Sequence, residues 1–578
     1  MPQKTEINNI AHNLARALLL VLLFAWSASG QDTSLEPSKT VMWNVKDHQA
    51  QGDGKADDTE AIQRTIGMAS AGDTVWIPQG TYKVRTLGLR SGVHIKAEGT
   101  LVQQLDSTQE FTKGHQNSTA PLFRGKDISN VSISLNGQAL HEAIYLSGSR
   151  NVTIYDSHFG GDSTKLRSFS GILLYKCADI TIEKTTVTGF GTDRLHTDSY
   201  QPGTGIRILE SKSILVQAVT IRKNGENGVF IHSSPDVQVL NSTISENGMS
   251  GIQVAFGTTG VEKDYRFENN ILHDNASDAV DINNPSSKGP LAIHASIINN
   301  DSKDNGYVDG KSTPDGSGIA TLVNVSAVEV IANRAKGNNR PAIYMEDCGE
   351  ILVKDNVGDN QVELVGSLRH LDMLSNVFSN VTFINNVHAR YILMENNQLA
   401  TLHLPNGIRT DSLLVHKNEL GNASLNINLQ GNIQLQGNRI INEGKNPAML
   451  LVKADGIRIA DNHILSHRAP ALTIHASAKD VLVKENTVRA ANTCIIDQGA
   501  ANLRIEGNKL TAMETGRHYF TLRSKNPQNL QLAGNEHTGK EEFPVIFFEG
   551  KGTARLNAEK IIRGTTDFGE VKVATSNL

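Results

Sequence analysis

The sequence predicts an all-β fold, a right-handed parallel β-helix: a solenoid with three strands per coil and a short N-terminal capping helix. Three observations carry this expectation. The first is a repeat of roughly twenty to thirty residues, seen in GVFIHSSPDVQVLNSTISENGMS and again in GIQVAFGTTGVEKDYRFENNILHDNASD, a period that marks stacked repeats. The second is alternation. Each copy opens on a small residue, in order Ala143, Gly171, Gly205, Gly228, Gly251, Ala279, Gly318 and Ala342, and its second and fourth residues are mostly apolar. In a strand that pattern buries the second and fourth residues and turns the third and fifth outward. The third is a series of asparagines that begins at Asn241, Asn270 and Asn333 and runs to Asn508, marking one turn in successive coils. Asparagine tolerates left-handed turns, and stacked asparagines can bond along the column.

A coil of this kind cannot bury its apolar residues alone, so stacking makes the core and joins like strands in parallel with right-handed connections. A chain of 578 residues is then one long domain. With 5% aromatic and 20% charged residues and 50 glycines, it is a turn-dense, ordered protein. A net charge of −5 gives no electrostatic footprint for nucleic acid or an anionic membrane, so neither is expected as a partner.

In chain order, residues 1–30 have the form of a secretory signal: Lys4 and Arg16, the apolar run Ala17 to Trp26, and a small-residue exit at Ser27-Ala28-Ser29-Gly30. Cleavage there would make the mature protein secreted or periplasmic, with no membrane contact. Residues 31–105 are expected to form an N-terminal cap and the first coils, 106–540 the parallel β-helix, and 541–578 a last coil or cap. Asp57 stands three residues before Glu60, a capping-box spacing, ahead of Ala61, Ile62, Ile66 and Ala69 on one helical stripe. That helix would cover the open end of the stack. Of three cysteines, Cys177 and Cys348 take the same place in distant coils and Cys494 lies in an apolar run, so buried thiols are expected rather than bridges.

The run Gly52-Asp53-Gly54, Asp57-Asp58-Thr59, Ala61-Ile62, followed by Pro78-Gln79-Gly80-Thr81-Tyr82, resembles the N-terminal segment of pectate-lyase-like and rhamnogalacturonase-like proteins of the pectin lyase superfold. The resemblance implies a parallel β-helix and a polysaccharide substrate. Its own residues read as architecture: turn glycines, capping aspartates and a proline entry to a strand.

Function is expected where coils are long. The intervals Gly171 to Gly205 and Ala279 to Gly318 are 34 and 39 residues, and the extra length falls at Gly189 to Thr204, Phe256 to Tyr265, Asn284 to Pro290 and Asp301 to Ser317. Such loops would wall one sheet. Outward positions on that sheet are Arg207, Phe230, His232, Gln253, Asp281, Asn283, Tyr344 and Glu346. Aspartate is disfavoured inside strands, which singles out Asp281. With rungs about 4.8 Å apart, Asp281 and Glu346 would have backbones roughly 10 Å apart and could bring their carboxyl groups to the ~6.5–9.5 Å of an inverting glycosidase. Asp278 and Asp347 are rival acids. The expected catalytic group is therefore Asp281, Asp278, Glu346 and His232, with Arg207, Gln253, Asn283, Tyr344, Phe230 and Arg340 binding sugar.

Polygalacturonase-like hydrolases carry NTDG, DD, GHG and RIK signatures, where this chain reads SENGMSG, NASDAVDI, DGSGIATL and AIYMED. Asp278 matches one of the DD pair, Ser317 replaces the histidine, and RIK is missing. The rhythm of Asn224 to Ile252 is similar to that of mannuronan epimerases, without their DPHD signature. The expectation is a secreted glycoside hydrolase with paired carboxylates and no obligatory cofactor. Alternatives are a calcium-dependent polysaccharide lyase, a uronan C5-epimerase, or a non-catalytic glycan-binding scaffold.

Overall fold

The computed structural model describes residues 40–576 apart from 106–117, 163–169, 192–202, 258–259, 287, 315, 405–408, 422–424, 429 and 514–518. The expected signal over 1–30 lies outside the described residues, and no described helix is long and apolar enough to cross a membrane. From Met42 onward the chain is one compact unit. Strands recur in threes: Ser170–Tyr175, Ala178–Glu183 and Thr186–Thr188 pair in parallel with Thr204–Leu209, Lys212–Gln217 and Thr220–Arg222 of the next coil. Parallel pairing of each coil with the next continues to the C-terminus, where Thr553–Asn557 pairs with Lys572–Ser576. This is the expected parallel β-helix.

The alternation in sequence becomes two inner columns. Ile206, Val229, Ile252 and Val280 stack in one, and Ile208, Ile231, Val254, Ile282, Leu322 and Met345 in the other, all fully buried. Each such side chain contributes about 1.5–3 kcal/mol by leaving water. At the N-terminal end, helix Thr59–Met68 buries Ala61, Ile62, Thr65 and Ile66. Its start differs from the expected capping box. Asp57 accepts from Thr59 N at 3.0 Å, while Asp58 turns back to the amides of Gln51 and Gly52 at 2.6 and 3.1 Å. Gly52 has φ +63, and a Cβ there would stand 2.6 Å from the Tyr82 ring, so the GDG glycine is required by packing.

The asparagines form ladders, and their geometry corrects the expected one. In the long ladder from Asn270 through Asn300, Asn333 and Asn356 to Asn535, each Oδ1 accepts the backbone and side-chain amides of the asparagine in the coil before. Each Nδ2 also donates to a main-chain carbonyl, as Asn333 does to Ile297 O at 2.9 Å. The left-handed residue is the one before each rung, such as Asn269, Asn299, Asp355 and Asn396. Asn241 is one of these, and Ser242 holds the rung that was expected of it. A shorter ladder links Asn224, Asn247, Asn275, Asn305 and Asn338.

The three thiols are free and buried. Burial pushes Cys177 up to about 11 and Cys348 and Cys494 up to about 12. At neutral pH the native protein should therefore leave an aromatic disulfide reagent almost unreacted, with all three cysteines titrating after denaturation. Rapid native labelling would contradict this placement. Asn397→Leu, which breaks one rung between Asn376 and Asn418, should cost about 1–3 kcal/mol as read by urea unfolding, because it strands buried amide partners.

Candidate functional site

Strand register places the expected residues on one outer face. One column runs Arg207, Phe230, Gln253, Asp281, Thr321, Tyr344 and Glu363. The adjacent column runs Leu209, His232, Ala255, Asn283, Val323 and Glu346. The structure thus gathers His232, Asp281, Asn283, Tyr344 and Glu346 on neighbouring rungs. It corrects their alignment. Glu346 lies level with Asn283, while Tyr344 lies level with Asp281. The two acids are therefore diagonal, with backbones roughly 12 Å apart at strand spacing.

Asp281 is 8% exposed, and its Oδ2 accepts from Gln253 Nε2 at 2.8 Å. Gln253 in turn accepts from Asn227 Nδ2 at 2.9 Å, so a polar chain spanning consecutive coils fixes the carboxyl group. Glu346 is half-buried and accepts from the Tyr344 hydroxyl at 2.7 Å. Burial, and then that carboxylate, raise the Tyr344 pKa. Tyr344 stays a hydrogen-bond donor at physiological pH. His232 is half-buried and lies parallel to Phe230, their ring centroids 6.4 Å apart. Arg340 and Asn283 are exposed.

Two expected residues have other work. Arg207 faces outward but is 2% exposed: it donates to Thr204 Oγ1 at 2.8 Å and to Glu226, and its guanidinium lies 4.7 Å from the Phe230 ring centroid. Thr204 also donates to Glu226. That enclosed pair supports the sheet from below the Phe230 ring and leaves Arg207 no room for substrate. Asp278 is 6% exposed, and its Oδ1 accepts from the Ser317 and Gly316 amides at 2.6 and 3.3 Å and from Thr321 Oγ1 at 2.9 Å. It pins the inserted loop to the strand entrance rather than offering a free acid. Asp347 holds a corner by accepting from Ser367 N at 2.8 Å.

The insertions flank this face. The segment expected to loop out over 301–317 begins with a regular strand, Asp301–Lys303, and projects a small hairpin, Tyr307–Val308 with Lys311–Ser312. Most of 189–204 lies outside the described residues. On the other edge, residues 256–257, 260–262, 284–286 and 288–291 line a cleft of about 1050 Å³ with His232 in its wall. Asn284–Ser286, Gly289 and Pro290 also border a second cavity of about 750 Å³ that runs past Val323, Asp347, Arg369 and Arg390. Among the described residues no three His, Cys, Asp or Glu side chains converge on a point that could hold a metal ion.

Residues 116–301 match the family described as right handed beta helix region, and the chain folds as a right-handed parallel β-helix. Alginate lyase 7 of Azotobacter vinelandii is 26% identical over 239 residues, 40% of this chain and 22% of that protein. Mannuronan C5-epimerase AlgE2 of the same organism is 26% identical over 274 residues, 42% of this chain and 25% of that protein. The chain spans about a quarter of the length of these relatives. Among solved structures, an exopolygalacturonase from Thermotoga maritima matches at TM-score 0.31 and 14% identity, covering 81% of this chain and 91% of that one.

The Arg207–Glu226 pair separates a supporting role from a sugar-binding one. Arg207→Met should cost about 3–5 kcal/mol in urea unfolding by stranding a buried carboxylate, and adding Glu226→Met should recover most of the loss. Unchanged stability with a raised KM would instead restore Arg207 to the substrate site.

Proposed function

We propose that the protein is an exported enzyme that cleaves glycosidic bonds of a polysaccharide lying along the stacked rungs. The observation that carries this reading is the placement of Asp281, Tyr344 and Glu346 on one outward face, with Asp281 fixed by Gln253 and Glu346 by Tyr344. A row of polar and aromatic side chains at rung spacing suits a polymer, and two carboxyl groups on a diagonal suit hydrolysis with a water between them. One of the two carboxyl groups activates the water and the other protonates the departing sugar oxygen. His232 and Phe230 bind the sugar ring nearby. The match to an alginate lyase and to mannuronan epimerases favours a second reading, proton abstraction from a uronate with elimination or epimerisation.

Incubation with a panel of plant, algal and bacterial polysaccharides, with and without a chelator, should release oligosaccharides from at least one. Asp281→Asn and Glu346→Gln should each lower kcat by about 10²–10⁴. Products that absorb in the ultraviolet, through a new double bond, would select the lyase reading. A protein that binds a glycan but leaves every member of the panel intact would be a scaffold.

A further inference from the structure

The coils beyond the acidic face carry an unassigned feature at the 750 Å³ cavity. Arg369 and Arg390 line it together with His388. Register pairs Ser367 with His388 and His388 with Arg409, so His388 and Arg409 occupy one column on successive rungs. His370 pairs with Tyr391, which sets Arg369 and Arg390, one residue earlier on each strand, side by side in the next column. All four side chains are exposed. Arg369, Arg390 and Arg409 make no side-chain hydrogen bond or ion pair among the described residues, unlike Arg207 with Glu226 or Arg439 with Glu419. The nearest acids in the cavity wall are Asp347, already bonded to Ser367 N, and Asp411 on the far side of Arg390.

Arg369 and Arg390, one rung apart at about 4.8 Å, repel one another; Asp411 takes the next rung of their column, and Arg409 stands beside it in the column of His388, so three arginines and His388 outnumber the two acids of the cavity wall. The groove opens at Val323, directly beside Glu346 on the acidic sheet, and continues along the solenoid axis. We infer that this cationic cluster docks an anionic polysaccharide, its carboxylate or sulfate groups meeting Arg369 and Arg390 on successive rungs and Arg409 diagonally beyond them. The rung spacing is of the order of one sugar residue in an extended glycan, so successive anionic groups keep step with successive coils. The cluster holds the polymer beyond the reacting bond and offsets the repulsion it meets at Asp281 and Glu346. The inference rests on the polysaccharide reading for its ligand class and not on which reaction occurs.

The test uses the full chain and the triple variant Arg369→Ser, Arg390→Ser, Arg409→Ser, which removes only exposed groups. Binding to alginate (carboxylate), dextran sulfate (sulfate), unsubstituted dextran and duplex DNA is measured by calorimetry at low and at moderate salt. The wild type should bind alginate or dextran sulfate at least about tenfold more tightly than dextran and lose that advantage as salt screens the charges. The triple variant should bind the preferred anionic glycan about tenfold more weakly, with a flatter salt dependence and an unchanged unfolding midpoint. Alginate bound better than dextran sulfate identifies carboxylate as the group read, and the reverse identifies sulfate. Equal binding by the two proteins, a preference for dextran, or DNA bound as tightly as the anionic glycans would overturn the cluster's role. Neutral-glycan cleavage with no effect of the triple variant would remove that role and leave the enzyme reading intact. Anionic-glycan binding lost in the variant, without cleavage of any glycan, would keep the cluster's role and remove the enzyme.

Discussion

The structure depends on one constraint, the register of each coil on the next. Parallel pairing fixes strand against strand, and the asparagine ladders fix the turn between them by giving every buried side-chain amide a partner in both directions. An unpaired amide at that depth costs more than a made bond gains, so the ladder tolerates no slip. A one-residue slip would also exchange every inner Ile and Val for an outward polar group. Because register is held so tightly, residues about a hundred positions apart in the chain, such as Phe230 and Tyr344, stand at predictable heights on one face.

That regularity explains what the sequence makes legible. Alternation after each small residue reports the inner columns and the outer face, and both appear where the pattern puts them. The diagonal between Asp281 and Glu346 is also present in the sequence: Asp281 is third from Ala279, whereas Glu346 is fifth from Ala342. Counting rungs alone overlooks that offset. The partners of Arg207 are harder to read. Glu226 sits in the turn NGENG, where no periodicity reports side-chain direction, and only the stacking of its coil on that of Arg207 brings the two together. Asp278 likewise reads as a free acid until the inserted loop returns its amides to it.

The arginine cluster was illegible for a different reason. Arg369 and Arg390 lie where strands run unbroken around a corner, Val362–Leu374 and Val377–Glu395, and Arg409 opens the strand Arg409–His416, with no small residue to mark a start. Coils without insertions look like spacer in sequence. Charge stacked along the axis is visible only once register is known. In the function proposed, the acidic face and the cationic groove divide the work of one long surface: carboxyl groups held by Gln253 and Tyr344 at the reacting bond, and fixed positive charge for the polymer beyond it.

The central claim is that a glycan lies along the axis over Asp281 and its neighbours. It is tested most directly by a crystal structure of the Asp281→Asn protein soaked with an oligosaccharide that the wild type binds. The account predicts successive sugar rings over Phe230, Gln253, residue 281 and Tyr344, with the chain leading toward Arg369 and Arg390. Sugar density on a different sheet, or across the coils rather than along them, would contradict it.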